Sequence, residues 1–264
     1  MAELGGGHAA TAREIVALLA DAPADDVEKL AQRYAEDPRK QVRTAVQSAV
    51  KRARRELAER DRVRQLYAEQ ERLGGTGMVV GIDEVGRGAI AGPLTVCAVA
   101  LPLEPMVWGL NDSKQLTPAK REAVAARVAE VATAIGLAHI EPAAIDAVGM
   151  GTALRMAMAQ ALQDCGVEPD VVLIDGNPVH VHPRERCVVK GDARIACISA
   201  ASVVAKVTRD EMMVAYDADY PQYHLAQCKG YGSPEHIAAI REHGLSPIHR
   251  VSFCGSFLET PRLF

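Results

Sequence analysis

Asp83 and Glu84 stand side by side at the end of a short β-branched run, Met78, Val79, Val80 and Ile82, and are followed at once by Gly86-Arg87-Gly88. The run reads as a buried strand. Its end therefore carries two carboxylates next to a backbone that can approach a phosphate closely. A buried carboxylate is costly without a metal, a cation or a proton. The pattern recurs at Val171–Ile174, where Asp175 closes an apolar run and Gly176 turns the chain. Ligands of open α/β sheets gather beyond the strand ends, so Asp175 on an adjacent strand is expected to meet Asp83. Asp192 follows Gly191 and precedes a helix; it reads equally as an N-cap or as a further carboxylate of the same site. Three or four carboxylates, with no clustered Cys or His, suit a hard divalent cation such as Mg²⁺ or Mn²⁺. Two such ions about 4 Å apart hold an attacking water and a leaving oxygen in line. The chemistry is phosphoryl transfer, and a phosphodiester is the natural substrate.

Residues 86–91, GRGAIA, also match the dinucleotide fingerprint GxGxxG/A formally. That fingerprint needs a helix directly after its first glycine. Here Gly92-Pro93 intervenes and Leu94, Thr95, Val96, Ala98 and Val99 favour a strand. Two acids ahead of the glycines would also repel a pyrophosphate. The nicotinamide reading fails on context.

The elements that must position these groups alternate. MVVGIDE and LTVCAVALP are strands around the glycine-rich turn. Thr117-Pro118 opens a helix through Ala132, IGLAHIE is a strand, and residues 143–166 read as one long helix. VVLIDG and the shorter CVVKGD are strands, residues 193–216 a helix, and the remainder one short helix with loops. This is an α/β layered pattern. Residues 10–72 read as helical throughout. Thr11 and Glu14 form a capping box, a second helix runs from about Asp25 to Glu36, and Asp37-Pro38 starts a third. Val42, Val46, Ala49, Val50 and Leu57 give the third helix an apolar stripe. Gly74, Gly75 and Gly77 mark the expected boundary between a helical appendage, 1–75, and the main domain, 76–264.

The 264-residue length fits one core domain and a smaller appendage, at roughly 100–200 residues per domain. The 48% apolar share supports a core, yet no run of about 18 apolar residues suggests a membrane span. The start MAELGGGHAATARE shows no secretory pattern. Six scattered cysteines, without a CxxC pair, read as reduced packing residues of a cytoplasmic protein. The net charge of −4 conceals residues 39–55, which hold seven Lys or Arg and no acid. That segment suits either duplex binding or a solvated face packed on a core.

Taken together, GIDEVGRGAIAGP at 81–93, NDSKQLTPAKRE at 111–122, LIDGN at 173–177, VVKGDARIACISAASVVAKVTRD at 188–210 and HLAQCKGYGSPEHIAAIREHGLSPIHRVSF at 224–253 resemble the ribonuclease HII family. The motifs occur in the family's order and cover nearly all of 76–255. The helical N-terminus resembles the extension of one bacterial branch. The resemblance implies an RNase H-like fold: a central mixed sheet flanked by helices, with a helical C-terminal part. It implies that Asp83, Glu84, Asp175 and Asp192 form a four-carboxylate set holding Mg²⁺ or Mn²⁺, two ions once substrate is bound. The implied reaction cuts on the 5′ side of a ribonucleotide embedded in duplex DNA, leaving a 3′-hydroxyl and a 5′-phosphate, and also cuts RNA in RNA–DNA hybrids. Gly86, Arg87 and Gly88 match the family's junction-reading turn. Tyr231 matches its sugar-stacking tyrosine, and Ser113 and Lys114 its phosphate contacts. Nucleic acid is the expected partner, with no membrane association and a monomeric protein. On local sequence alone Tyr231 reads as a half-buried core residue and Ser113-Lys114 as a solvated turn.

Two departures stand out: Val251 where the family usually has a basic residue, and Cys254-Gly255 in place of a proline-containing ending. The sister family, ribonuclease HIII, is the nearest alternative. It lacks the GRG turn in this form and usually carries a sheet-type N-terminal domain. A non-catalytic nucleic-acid-binding protein on the same scaffold is the alternative of a different class; loss of one acid would have supported it, and none is lost.

Overall fold

The computed structural model describes residues 10–258, so most of the N-terminal stretch without a secretory pattern, residues 1–9, lies outside the described residues. The main sheet holds β1 (Val79–Val85), β2 (Leu94–Ala100), β3 (Ala134–Ile140), β4 (Val171–Asp175) and β5 (Glu185–Val188), in the order β3-β2-β1-β4-β5. β1–β2 and β2–β3 are antiparallel, whereas β1–β4 and β4–β5 are parallel. The sheet is therefore mixed, as expected.

Period-two alternation splits the strand side chains between two cores. Val79, Cys97, Val99, Val171 and Leu173 face a core shared with α4 (Pro118–Val131) and α7 (Ala196–Asp219). Val80, Ile82, Val96, Ala98, Val172 and Ile174 face the other core, built on α5 (Pro142–Val148) and α6 (Met150–Asp164). A third core joins Ile90 and Ala91 to Met213, Tyr223, Leu225, Ile240 and Cys254. It lies among α7, a 3₁₀ turn at Pro221–Tyr223, α8 (Leu225–Cys228), α9 (Pro234–His243) and α10 (Val251–Leu258). Among the described residues the C-terminal part thus holds three helices rather than one, because left-handed His224 and Lys229 bound α8 and Gly244, at φ +78, ends α9. The expected long helix over 143–166 is two. Gly149 takes φ +77 and both ends α5 and starts α6, a conformation a helix interior cannot hold.

Packing groups the chain into two compact units, up to Arg62 and from Val63 onward. In the first, α1 (Ala12–Asp21), α2 (Ala24–Arg33) and the start of α3 (Lys40–Gly74) close over Ile15, Leu19, Val27, Val42, Ala49 and Ala53. The Thr11–Glu14 capping box is formed in both directions. Arg52 caps the C-terminal carbonyls of α1, donating to Leu19, Ala20 and Ala22. The helix expected to begin at Asp37-Pro38 begins instead at Lys40. Asp37 accepts from the Arg39 amide at 2.9 Å and from its guanidinium at 2.6 Å, forming a turn before the helix. The later turns of α3 belong to the sheet unit: Val63, Leu66 and Tyr67 enter its core, and Gln70 bonds the Leu101 carbonyl at 2.7 Å and the Cys197 amide at 2.8 Å. Among the described residues no helix is long and apolar enough to cross a membrane.

α7 packs closely on β1. A Cβ on Gly81 would lie 2.3 Å from the Cys197 carbonyl carbon and 2.5 Å from the Ile198 amide. Backbone cannot yield as a flexible side chain does. Gly81→Ala is expected to lower unfolding free energy by about 1–3 kcal/mol, the usual cost of overpacking, as read from urea unfolding. An unchanged midpoint would contradict this packing.

Candidate active site

The β1–β4 register decides what meets at the sheet's end. Ile82 pairs with Ile174, so Asp83 and Asp175 are the next residues on adjacent parallel strands. Alternation then sends Asp83 to the α7 face and Glu84 to the α6 face. Both stand at the strand end, so one cleft receives both. Asp83 is buried, its Oδ1 accepting from the Glu84 amide at 2.8 Å. Burial first, then the charges of Glu84 and Asp175, push its carboxyl well above the usual aspartate range. Burial likewise raises Glu84, against the pull of the Arg87 guanidinium 3.5 Å away.

Asp175 is tied down by a 2.6 Å bond from the Gly191 amide to its Oδ1. That bond joins the end of β4 to the 3₁₀ turn Gly191–Ala193, which carries Asp192. Asp192 is buried, and its carbonyl accepts from the Ser199 hydroxyl. Burial, Asp175 and Asp112 all raise its carboxyl, opposed by Lys114. It does not cap α7, whose N-cap is Ile195; the side chain is left for the cleft.

The cleft encloses about 490 Å³. Its lining contains all ten residues singled out from sequence: Asp83, Glu84, Gly86, Arg87, Gly88, Ser113, Lys114, Asp175, Asp192 and Tyr231. The carboxylates share the cleft without forming a closed cage: among the described residues no three His, Cys, Asp or Glu side chains stand close enough to hold one ion. Like charges in a low-dielectric site repel and stay apart. The cleft's donors are oxygens, with no thiol or imidazole, which fits a hard divalent cation.

The glycine turn is shaped from behind. Gly86 takes φ +83, and a Cβ there would lie 2.2 Å from Arg209 Nε. Arg209 is fully buried and donates to the carbonyls of Pro93 (2.9 Å), Lys229 (2.7 Å) and Ala91 (2.9 Å). Arg250, also fully buried, donates to Gly92 at 2.8 and 3.0 Å and to Arg87 at 3.2 Å. Arg87 itself keeps its side chain 60% exposed. Tyr231 is exposed rather than a core residue, with its ring centroid 5.6 Å from the Arg209 guanidinium carbon. Ser113 and Lys114 lie on a 3₁₀ turn capped by Asp112 and braced by Arg121, which donates to the Ser113 carbonyl at 2.9 Å.

Sequence reasoning passed over Ser202 and Lys206, which also line the cleft. Ser202 acts on the Asp83 carboxylate and meets the Ser113 hydroxyl at 3.1 Å. Lys206 pairs with Asp210 at 2.5 Å. The signal was available: Ser199, Ser202, Lys206 and Arg209 recur at steps of three and four along an otherwise apolar helix, one polar stripe on the buried face. Of the two sequence departures, Val251 is 60% exposed and Cys254 is fully buried in the third core.

Solved structures share this architecture. Ribonuclease H2 of Pyrococcus horikoshii OT3 superposes with a TM-score of 0.58 at 24% identity, covering 69% of this chain and 99% of that one. Bst-RNase HIII, solved in complex with Mn²⁺, also gives 0.58, at 18% identity over 71% and 69% of the two chains. The fold is that of the ribonuclease H class of nucleases. Sequence narrows the class. The ribonuclease HII family model matches residues 80–256, and the ribonuclease HII N-terminal domain model matches residues 11–73. Ribonuclease HII of Geobacillus thermodenitrificans is 42% identical over 245 residues, 92% of this chain and 94% of its own length. That of Listeria monocytogenes is 41% identical over 224 residues, 84% and 86% of the two chains. The chain belongs to the ribonuclease HII family, and is an endonuclease of the ribonuclease H type.

A carboxyl whose folded value is raised favours folding below its unfolded value, and that contribution is lost as pH rises through the folded value. Asp83 therefore weakens the metal-free fold at neutral pH. Asp83→Asn is expected to raise unfolding free energy in EDTA at pH 7 by about 0.5–2 kcal/mol, the usual return on relieving a strained functional group. The gain should vanish below pH 3.8, where the unfolded carboxyl is also protonated. Urea titrations at both pH values test this; a loss of stability at pH 7 would contradict it.

Proposed function

We propose that this chain hydrolyses the phosphodiester on the 5′ side of a ribonucleotide embedded in duplex DNA, leaving a 3′-hydroxyl and a 5′-phosphate, and that it also cuts RNA in RNA–DNA hybrids. The observation that carries this reading is the convergence on one cleft of four carboxylates, a glycine turn with an exposed arginine, and an exposed tyrosine. Asp83, Glu84, Asp175 and Asp192 would hold Mg²⁺ or Mn²⁺, as two ions with substrate present. When bound, such ions supply Lewis acidity and an activated water. The manganese complex of the HIII relative supports the metal type.

The chain's own groups do the recognition. Arg87 offers a charged fork for a phosphate. At Gly88 nothing lies within 4 Å of where a Cβ would stand, so the backbone faces open space. A 2′-hydroxyl can reach its amide there, and that hydroxyl separates RNA from DNA. Tyr231 offers a ring face for the following sugar, and Ser113 and Lys114 reach a neighbouring phosphate. The fold alone resembles HII-type and HIII relatives equally; the family match and the GRG turn favour the HII substrate.

We read the protein as a cytoplasmic monomer. All six cysteines are free thiols, with Cys97, Cys165, Cys197 and Cys254 buried, which suits a reducing compartment. We also assign auxiliary duplex binding to the first helical unit. Arg39 and Arg52 are engaged internally, but Lys51, Arg54 and Arg55 are exposed.

A labelled duplex containing one ribonucleotide should be cut once, on its 5′ side, with Mg²⁺ or Mn²⁺ and not with EDTA. Asp83→Asn and Asp175→Asn should each lower kcat by about 10²–10³-fold or more, the scale of removing a charge-stabilising group. Full activity in either variant would sink the carboxylate assignment. Cutting confined to longer RNA tracts would favour the HIII reading. For the first unit, Lys51→Gln, Arg54→Gln and Arg55→Gln together should reduce the slope of log affinity against log salt by up to about three. An unchanged slope would leave those side chains without a role in binding.

A further inference from the structure

Behind Tyr231 lies a buried histidine pair that the proposed chemistry does not use. His236, in the first turn of α9, and His249, just before α10, are buried with their Nε2 atoms 3.0 Å apart. The partners fix which nitrogen carries each proton. His249 Nδ1 faces the Ser246 amide at 3.0 Å and the Ser246 hydroxyl at 2.9 Å. The amide can only donate, so this Nδ1 is bare and the proton sits on Nε2. That N–H points at His236 Nε2, which must accept. His236 therefore carries its proton on Nδ1, which lies 2.9 Å from the Tyr231 carbonyl. The result is a one-way chain of donors: Ser246 amide to His249, His249 to His236, and His236 to the backbone of Tyr231.

We infer that His236 and His249 are positioning residues for Tyr231, holding its backbone so that the ring faces the cleft. The inference rests on the proposed role of Tyr231 as the sugar-stacking residue. The loop is gripped on its other side by the glycine turn's continuation: the Gly230 carbonyl accepts from the Ile90 amide at 2.9 Å and the Ala91 amide at 3.1 Å. Gly230 has φ +77, and a Cβ there would lie 2.3 Å from the Ala91 carbonyl oxygen. Ala91 in turn bridges to His249. Tyr231 thus stands between two clamps, one tied to the GRG turn and one ending on the histidines.

The chain tolerates only neutral rings. A proton added to His249 Nδ1 would face the Ser246 amide donor, and one added to His236 Nε2 would face the His249 N–H. Burial lowers both rings, His249 to about 4, with the neighbouring ring adding to the effect on His249. The groups around the pair are Tyr223, edge-on to both rings, Cys228 with Sγ 3.5 Å from His236 Nδ1, and His224, whose charge also lowers His236. His243, against Tyr223, and Arg250, bonded away toward Gly92, complete the surroundings. A lowered histidine favours the fold above its unfolded value of 6.5 and loses that contribution as pH falls toward its folded value.

The test compares full-length wild type with Tyr231→Ala, His236→Leu, His236→Asn and the Tyr231→Ala/His236→Leu double variant on a duplex with one ribonucleotide, at pH 8 with Mn²⁺. His236→Leu should raise KM about tenfold with kcat little changed, as expected for a misplaced binding group. His236→Asn, whose amide can stand where Nδ1–H stood, should recover most of it. On the Tyr231→Ala background His236→Leu should cost nothing further, because both act through one contact. An undiminished His236→Leu effect on that background, or an unaffected KM in His236→Leu, would overturn the inference while leaving the tyrosine reading intact. An unchanged KM in Tyr231→Ala would overturn both. Where a variant fails to fold, ¹⁵N spectra of the wild-type rings decide. They should show neutral His236 protonated on Nδ1 and neutral His249 protonated on Nε2 at pH 7. A charged ring or the reverse tautomers at that pH would overturn the inference.

Discussion

The burial together of carboxylates at the end of a parallel strand pair is the constraint on which the rest of this structure turns. Once Ile82 pairs with Ile174, Asp83 and Asp175 become neighbours that neither strand can move away. The 2.6 Å bond from the Gly191 amide then draws Asp192 to the same place through Asp175. Burial is the larger part of the cost, since Asp83 and Asp192 are both raised mainly by desolvation, and mutual repulsion adds to it. A fold selected for stability alone would place apolar residues here. The cluster makes physical sense as a receiver of positive charge, which divalent ions would supply on the proposed reading.

The second constraint is the backing of the glycine turn. A turn that must bring its backbone to a substrate cannot be stiffened by its own side chains. Arg209 and Arg250 stiffen it from below, bonding carbonyls of residues 87, 91, 92, 93 and 229 from buried positions. Burial brings the Arg250 guanidinium down to about 10, yet leaves it a cation at neutral pH. The five-donor fork of arginine matches several carbonyls at once, which a lysine could not do. In this way the part of the fold around the third core shapes the cleft.

Much of this was legible beforehand, and the reasons are specific. Apolar runs ending in acids placed Asp83 and Asp175 at strand ends, because strand burial and the end-of-strand rule are both written in local pattern. The ambiguity of Asp192 was real. Asp before an apolar helix is the ordinary signature of a cap, and only the intervening 3₁₀ turn shows that Ile195, without a side-chain cap, stands at the N-cap position instead. Gly149 was read through because a glycine inside a helical pattern is usually tolerated; its positive φ is a backbone fact that spacing does not reveal. Ser202 and Lys206 stand in a run rich in alanine and valine, where only their spacing at steps of three and four sets them apart. The histidine chain was less visible still: its members lie within residues 231–249, but its meaning lies in which nitrogen faces which donor.

On the proposed reading, divalent cations stabilise the carboxylate cluster through Asp83 and Asp175 together. Urea unfolding at pH 7 with millimolar Mn²⁺ against EDTA tests it most directly, in wild type and in Asp175→Asn. A higher midpoint with Mn²⁺ is expected in the wild type, with little or no shift in the variant. Equal shifts in both proteins, or no shift in the wild type, would contradict it.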